Sequence, residues 1–284
     1  MNGWDFGILW AGGQAVLQGQ DPYSVDYFYY PLPMAYALAI LALLPQGAAY
    51  WLWLAFNLGL LVYFFRRKFW QWMLYVPILH LFSSGQMELF WWSMERWMGR
   101  HWRGALLGAV ITLKPQTALL LLPWHLLDWL RHDRKMLLRW AGLTLLIWGL
   151  PLLWRPHWIA EWMRAVPPYD LLSASNTPGI FSLLRLWPAL WPVLAVIAVI
   201  IGVWGQFQSK EIARATATLS SPLGLFYSTL ALLGCAPAWL LTPLSLLVAG
   251  LSLWLRNFVP FMALPLAVLG WQWWGTRPRR GEAG

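Results

Sequence analysis

Residues 104–130 read G-A-L-L-G-A-V-I-T-L-K-P-Q-T-A-L-L-L-L-P-W-H-L-L-D-W-L. The stretch is long enough to cross a bilayer as a single helix, which takes ~20 apolar residues. Lys114-Pro115 interrupts it. Proline lacks the backbone donor that a helix needs and clashes with the preceding turn. Arg96, Arg100 and Arg103 precede the stretch, and Arg131, His132, Arg134, Lys135 and Arg139 follow it. Cytoplasmic loops carry the excess of Lys and Arg. One full crossing would put one of these clusters on the wrong side. Two short helices meeting at Lys114-Pro115 keep both clusters on the same side. The reading therefore predicts half-spanning helices and a lysine at membrane depth, facing the protein interior.

The rest of the chain agrees with a membrane protein. Of its 284 residues 60% are hydrophobic and 11% charged, with mean hydropathy +0.52. A soluble domain carries about 25% charged residues, so this chain has too little polar surface for a water-facing globule. A β-barrel would show ~10-residue alternating segments, and these runs do not alternate. The net charge is +9. In a soluble protein that charge would point to nucleic acid. Here the basic residues form short runs between apolar segments, so no nucleic-acid partner is expected and membrane lipids are. Cys235 is the single cysteine, which excludes an intrachain disulfide. The N-terminus lacks the basic region and apolar core of a signal peptide. The 25 Trp fit the membrane interface, where the indole ring is half wet.

The expected class is all-α: a polytopic integral membrane protein of roughly 8–10 spanning or half-spanning helices. It reads as a single transmembrane domain over 1–284. Residues 1–30 form an extracytoplasmic loop holding Asp5, Asp21 and Asp26 without one Lys or Arg. Within it, 5–18 is a short interfacial helix with Phe6, Leu9, Trp10, Val16 and Leu17 on one side, and Asp21-Pro22-Tyr23 marks the turn beyond it. A first helical group covers 31–154, broken at 83–86 and 114–115, with 116–130 as one helix and Arg66-Arg67-Lys68 cytoplasmic. A second extracytoplasmic loop covers 155–186. C-terminal helices and a basic tail fill 187–284. There Lys210 and Arg214 face the cytoplasm, and breaks fall at Pro237, Thr242-Pro243 and Arg256-Asn257.

Charged groups within a membrane are costly and so mark functional candidates. Lys114 has no carboxylate within a turn. A substrate phosphate or a distant carboxylate would satisfy it, or its ammonium snorkels to the interface. Arg185 is either an interfacial anchor or a phosphate ligand. Gln86 and Asn176 either bond between helices or orient a substrate. Asp5 and Asp21 are helix caps, solvated charges or reactive groups. There is no His/Cys cluster with metal-ligand spacing and no G-x-x-x-x-G-K-[ST] loop, so neither metal nor other cofactor is expected.

Four motifs occur in order: D-F-G-I-L-W-A-G-G-Q-A-V-L-Q-G-Q-D-P-Y (5–23) with Y-Y-P-L-P (29–33), G-Q-M-E (85–88), the segment around Lys114, and S-N-T-P-G-I-F-S-L-L-R (175–185). Together they resemble glycosyltransferase family 87. Its members have the GT-C fold and are similar to polyprenol-phosphate-mannose-dependent α-mannosyltransferases. The resemblance covers Asp5 to about Arg185. It implies a multi-pass cell-membrane enzyme with an extracytoplasmic active site. The sugar, mannose or a similar hexose or pentose, would move from a polyprenyl-phosphate donor to a lipid-linked or glycan acceptor. It further implies Asp5 as general base. An acceptor hydroxyl loses its proton as it attacks, and a carboxylate, with its reference pKa near 3.9, is ionised to receive it. The leaving lipid phosphate needs cations, here Lys114 and Arg185. Gln86 and Asn176 would orient sugar or phosphate, while Asp21 and Tyr23 would shape the loop. Family members usually carry a helix ahead of the aspartate loop, and none precedes Asp5 in this chain. The resemblance thus also implies either a later-than-true start or a truncated, inactive member. A transporter or flippase of a lipid-linked glycan, with Lys114 as coupling charge, is the alternative class.

Overall fold

The structure, a computed structural model, describes residues 4–98, 102–167, 175–223 and 225–275. Among them every regular element is helical and none is a strand. Four helices are long and apolar enough to cross a membrane: Gln46–Trp72, Arg134–Leu153, Pro188–Gln206 and Ala238–Leu255. Their outward faces are oily. Trp51, Leu145, Val199 and Leu253 are each more than 60% exposed. Each such leucine left in water would forgo about 1.5–3 kcal/mol, a loss that surrounding acyl chains remove.

The chain clusters into two compact units. The first comprises Met1–Phe69 with Leu79–Tyr169, the second Trp70–Ile78 with Asp170–Gly284. Each is described by itself.

In the first unit, α1 (Trp4–Leu17) packs along α2 (Leu32–Ala42). The buried stripe of α1 is Phe6, Leu9, Gly12, Gly13 and Ala15. This corrects the expected stripe, because Leu17 is 45% exposed. The reason is close approach. A methyl group on Gly13 would lie 2.6 Å from the Leu38 carbonyl, and one on Gly12 would strike the Phe28 ring. The α2 backbone comes closest where α1 has no side chain, so burial follows the glycines rather than bulk. Next come α3 (Gln46–Phe65), the C-terminal part of α4 (Val76–Ser84), α5 (Glu88–Trp97), α6 (Trp102–Ile111) and α7 (Pro115–Leu121). The interruption at Lys114-Pro115 is as the charge pattern requires. A second break was not expected: 116–130 is not one helix, because Pro123 opens α8 (Pro123–His132). Proline fits the first turn of a helix and not its interior. The unit closes with α9 (Arg134–Gly149) and α10 (Trp158–Ala165), so part of the predicted loop 155–186 is helical.

The second unit contains 3₁₀ turns at Ile180–Arg185 and Phe226–Leu232, with α11 (Trp191–Gln206), α12 (Lys210–Ser220), α13 (Ala238–Leu255) and α14 (Ala263–Gly275). Lys210 and Arg214, read as facing the cytoplasm, lie on α12, and Arg214 is not in solvent. Ser209 caps α12, its Oγ accepting from the Ile212 N–H. Arg214 is 3% exposed and donates to Cys235 Sγ at 3.8 Å. The neighbouring alanines and threonines are small enough to draw this helix into the core. The expected break at Thr242-Pro243 does not occur, because α13 passes through it. Pro243 lies one turn inside the helix, where it removes a single ladder bond, and Thr242 Oγ1 donates outward to the Gln71 carbonyl at 2.8 Å. The break at Arg256-Asn257 does occur, with Arg256 in the left-handed region at φ 52°.

Candidate functional site

The strongest concentration of buried charge in the first unit draws on three of the four sequence motifs. Glu88 is in the first turn of α5, and Lys114 follows the last turn of α6. Glu88 suits its place, since helix N-termini favour anions, whereas Lys114 is also the N-cap of α7 and depends on its counter-charge. Lys114 Nζ donates to Glu88 Oε1 in an ion pair whose two side chains are 1% and 4% exposed. Tyr30, from the Y-Y-P-L-P motif, completes the site. Its hydroxyl accepts from Lys114, and the ammonium lies 5.9 Å from its ring centroid.

Asp5, in the first turn of α1, acts electrostatically on Tyr30, Lys114 and His80. A tight backbone junction fixes that turn. Gly85 has φ +77°, and a methyl group there would lie 2.5 Å from Phe6 Cβ. From α3, Tyr50 donates to the Phe82 carbonyl at 3.0 Å and Trp53 Nε1 to the Gly85 carbonyl at 3.2 Å. These bonds satisfy the backbone acceptors that the end of α4 exposes. Gln86 is buried directly beyond this junction. The sequence-predicted Asp5, Gln86 and Lys114 thus belong to one neighbourhood, to which the structure adds Glu88, Tyr30 and His80.

An apolar cavity of about 440 Å³ lies between α2, α3, α5 and α6. Met34, Leu38, Trp53 and Phe56 line it, and so do Met87 and Leu113. The last two immediately precede Glu88 and Lys114 in the chain.

Asp21 and Tyr23 have a different setting. Asp21 Oδ1 accepts from the Tyr23 N–H at 2.9 Å and from Arg155 Nη2 at 2.8 Å. Arg155 Nε also donates to Glu161 Oε2 at 2.6 Å, and its guanidinium carbon lies 5.6 Å from the Tyr23 ring centroid. Burial opposes the Arg155 cation, but hydrogen bonds to Asp21 and Glu161 outweigh it and raise its pKa above the ordinary value. Burial pushes the Tyr23 phenol up, Arg155 pulls it back, and the two carboxylates push with burial. Trp154 Nε1 donates to the Tyr36 hydroxyl at 2.7 Å and Trp162 Nε1 to the Tyr29 carbonyl at 2.9 Å. Together these bonds tie the N-terminal segment to residues 154–162.

Asn176 and Arg185 belong to the second unit. Asn176 is half-buried, and Arg185 is exposed at the end of its 3₁₀ turn. Ile180, Phe181 and Leu184 anchor that turn in a core with Leu194, Ala198 and Leu219.

Sequence reading missed Glu88, Tyr30, His80 and Arg155. Glu88 and Tyr30 sat inside quoted motifs, but nothing in their spacing paired them with Lys114. A second buried pair was also missed, His125 Nε2 to Glu95 Oε1 at 2.6 Å. Among the described residues no group of three or more His, Cys, Asp and Glu is placed to hold a metal ion. Comparison with family models, curated proteins and solved structures returned no match.

Proposed function

We propose that the protein is an integral-membrane glycosyltransferase that takes its sugar from a polyprenyl-phosphate donor on the extracytoplasmic face. One observation carries the reading: Glu88 and Lys114 form a buried ion pair against Tyr30, within electrostatic range of Asp5, and the residues that precede the pair in the chain line an apolar cavity. A lipid phosphate has a charged head and an oily tail. The ion pair offers a cation for the head, and the cavity offers apolar space for the tail.

In this reading Asp5 accepts the proton of the attacking acceptor hydroxyl. Lys114 binds the phosphate and stabilises charge as the bond to the anomeric carbon breaks. Glu88 is the counter-charge that keeps Lys114 tolerable before the donor arrives, since an unpaired buried ammonium is expensive. The phosphate competes with Glu88 for Lys114. Gln86 orients the sugar or phosphate, and Tyr30 holds the ammonium in place. Asp21, held by Arg155, shapes the loop. The sugar is mannose or a similar hexose or pentose, and the acceptor is a lipid-linked or free glycan.

The test is transfer from radiolabelled polyprenyl-phosphate sugars in membranes holding the full chain. Wild-type protein should label an acceptor. Asp5→Asn should insert normally and transfer at least roughly a hundredfold more slowly, the scale of a lost general base. Unchanged turnover by Asp5→Asn would reject Asp5 as the base. The competing transport reading predicts movement of labelled lipid across vesicles without formation of a new glycosidic bond.

A further inference from the structure

A second cavity of about 550 Å³ opens on the opposite side of α1 from its packed stripe. Trp4, Gly7, Ile8 and Ala11 form one wall, at the helical spacing that puts them on a single face. Val25, Asp26 and Tyr27 form another, and Gln46 closes the end. Its volume is within the ordinary range for small-molecule sites, roughly 300–1,000 Å³.

The chemistry of the walls is selective. Trp4 and Tyr27 are 70% and 58% exposed. Their ring centroids are 5.7 Å apart and their planes cross at 71°, forming an aromatic corner. Asp26 adds a carboxylate and Gln46 an amide. A pyranose has this mixed character, with a C–H face that lies against an aromatic ring and a rim of hydroxyls that donate and accept. The Gln46 amide lies against Gly7, where a methyl group would lie 3.1 Å from Nε2, so glycine leaves the amide room at the cleft floor. Tyr27 has φ +65°. A tyrosine rarely adopts this left-handed conformation, and such strain concentrates at ligand sites.

We infer that this cleft binds a neutral hexopyranose ring, stacked on the Trp4–Tyr27 corner and hydrogen-bonded by Asp26 and Gln46. Trp4 adjoins Asp5 in the chain, and the Asp5 carboxylate serves the neighbouring buried cluster. The cleft is therefore the acceptor side of the reaction. That role rests on the transfer reaction proposed above, whereas the binding itself does not.

The experiment is saturation-transfer NMR on the purified full chain in detergent micelles. The probes are methyl α-mannopyranoside, methyl α-glucopyranoside and methyl α-galactopyranoside. Ring protons of at least one probe should receive saturation from the wild-type protein. Trp4→Ala and Asp26→Asn should weaken that binding roughly tenfold, as loss of one good contact does. Tyr27→Gly guards against misfolding, because glycine adopts φ +65° without strain. It should bind as poorly as Trp4→Ala while melting no lower than wild type. Asp5→Asn should retain the saturation signal. Loss of binding in the cleft variants with transfer intact in Asp5→Asn would reject the catalytic reading and support the cleft. Absence of saturation for all three probes in wild type would overturn the inference. So would saturation that persists in both Trp4→Ala and Tyr27→Gly.

Discussion

Glu88 and Lys114 meet where two helix ends face each other, the carboxylate at the start of α5 and the ammonium just past the end of α6. Both side chains are buried, so the pair trades hydration for mutual attraction, a hydrogen bond and a helix N-terminus that favours Glu88. Such a pair is costly to halve and cheap to replace. Glu88→Gln and Lys114→Met should each destabilise the protein by about 3–5 kcal/mol. The double variant should recover most of that loss and stay inactive. Thermal melting in detergent, set beside a transfer assay, checks both halves. A double variant as unstable as either single one would show that the pair is not the relevant unit.

Gly85 makes a sharper structural prediction. Its φ of +77° disfavours any side chain, and an added methyl group would press on Phe6 at 2.5 Å. Gly85→Ala should therefore cost roughly 1–3 kcal/mol, the scale of enforced backbone strain, and should shift the turn that carries Asp5. Gly47 is the control, because nothing lies within 4 Å of a methyl group there. Gly47→Ala, early in α3, should be neutral or stabilising by up to about 1 kcal/mol. Paired melting curves decide it.

These two predictions show what the sequence could and could not yield. Helix positions followed from apolar run length, proline and charge placement, so α2, α3, α5, α6 and the Lys114-Pro115 break were legible. The α1 stripe was misread because hydrophobicity scales count bulk, whereas the α2 backbone approaches at Gly12 and Gly13. Pro243 was read as a break, although so near the start of α13 it removes only one ladder bond. The burial of Arg214 was not legible, because charge alone says nothing of the small residues around it. At the site, Lys114 advertised a missing counter-charge. Glu88 lies 26 residues away, and no periodicity within one helix links the two.

Arg155 is the third case, and its energetics should be weaker. Its side chain is 24% exposed and that of Asp21 is 48% exposed, so solvent screens the attraction. Arg155→Ala should cost about 1 kcal/mol or less, and its effect should shrink further in 1 M salt, where the screening length falls to about 3 Å. The pKa shift of Arg155 is upward. Its stabilising contribution is therefore complete below the unfolded-state value and fades only as pH rises through the folded-state value, above the usual guanidinium range. Between pH 5 and 9 the penalty of Arg155→Ala should trace no titration of Arg155 itself. The functional effect should exceed the energetic one, because freeing Asp21 loosens the loop that connects α1 to Tyr30. The expected readout is faster proteolysis within residues 19–30 with little change in melting temperature.

His125 and Glu95 separate structure from chemistry. The pair joins α8 to α5, with the imidazole Nε2 2.6 Å from the carboxylate. Both residues are buried. Glu95 sits seven residues beyond Glu88 on α5, about two helical turns. Removing the imidazole takes a hydrogen-bonding partner from a buried carboxylate, a change worth roughly 1–3 kcal/mol. His125→Ala should therefore lower the melting temperature. His125→Gln, which keeps an N–H donor of similar reach, should restore at least half of the loss. If the chemistry resides at Asp5 and Lys114, His125→Ala assayed well below its melting temperature should retain turnover within a few-fold of wild type. Lys114→Met under the same conditions should not. A His125→Ala protein that remains folded but transfers no sugar would move the reactive centre down α5, away from the N-terminal aspartate.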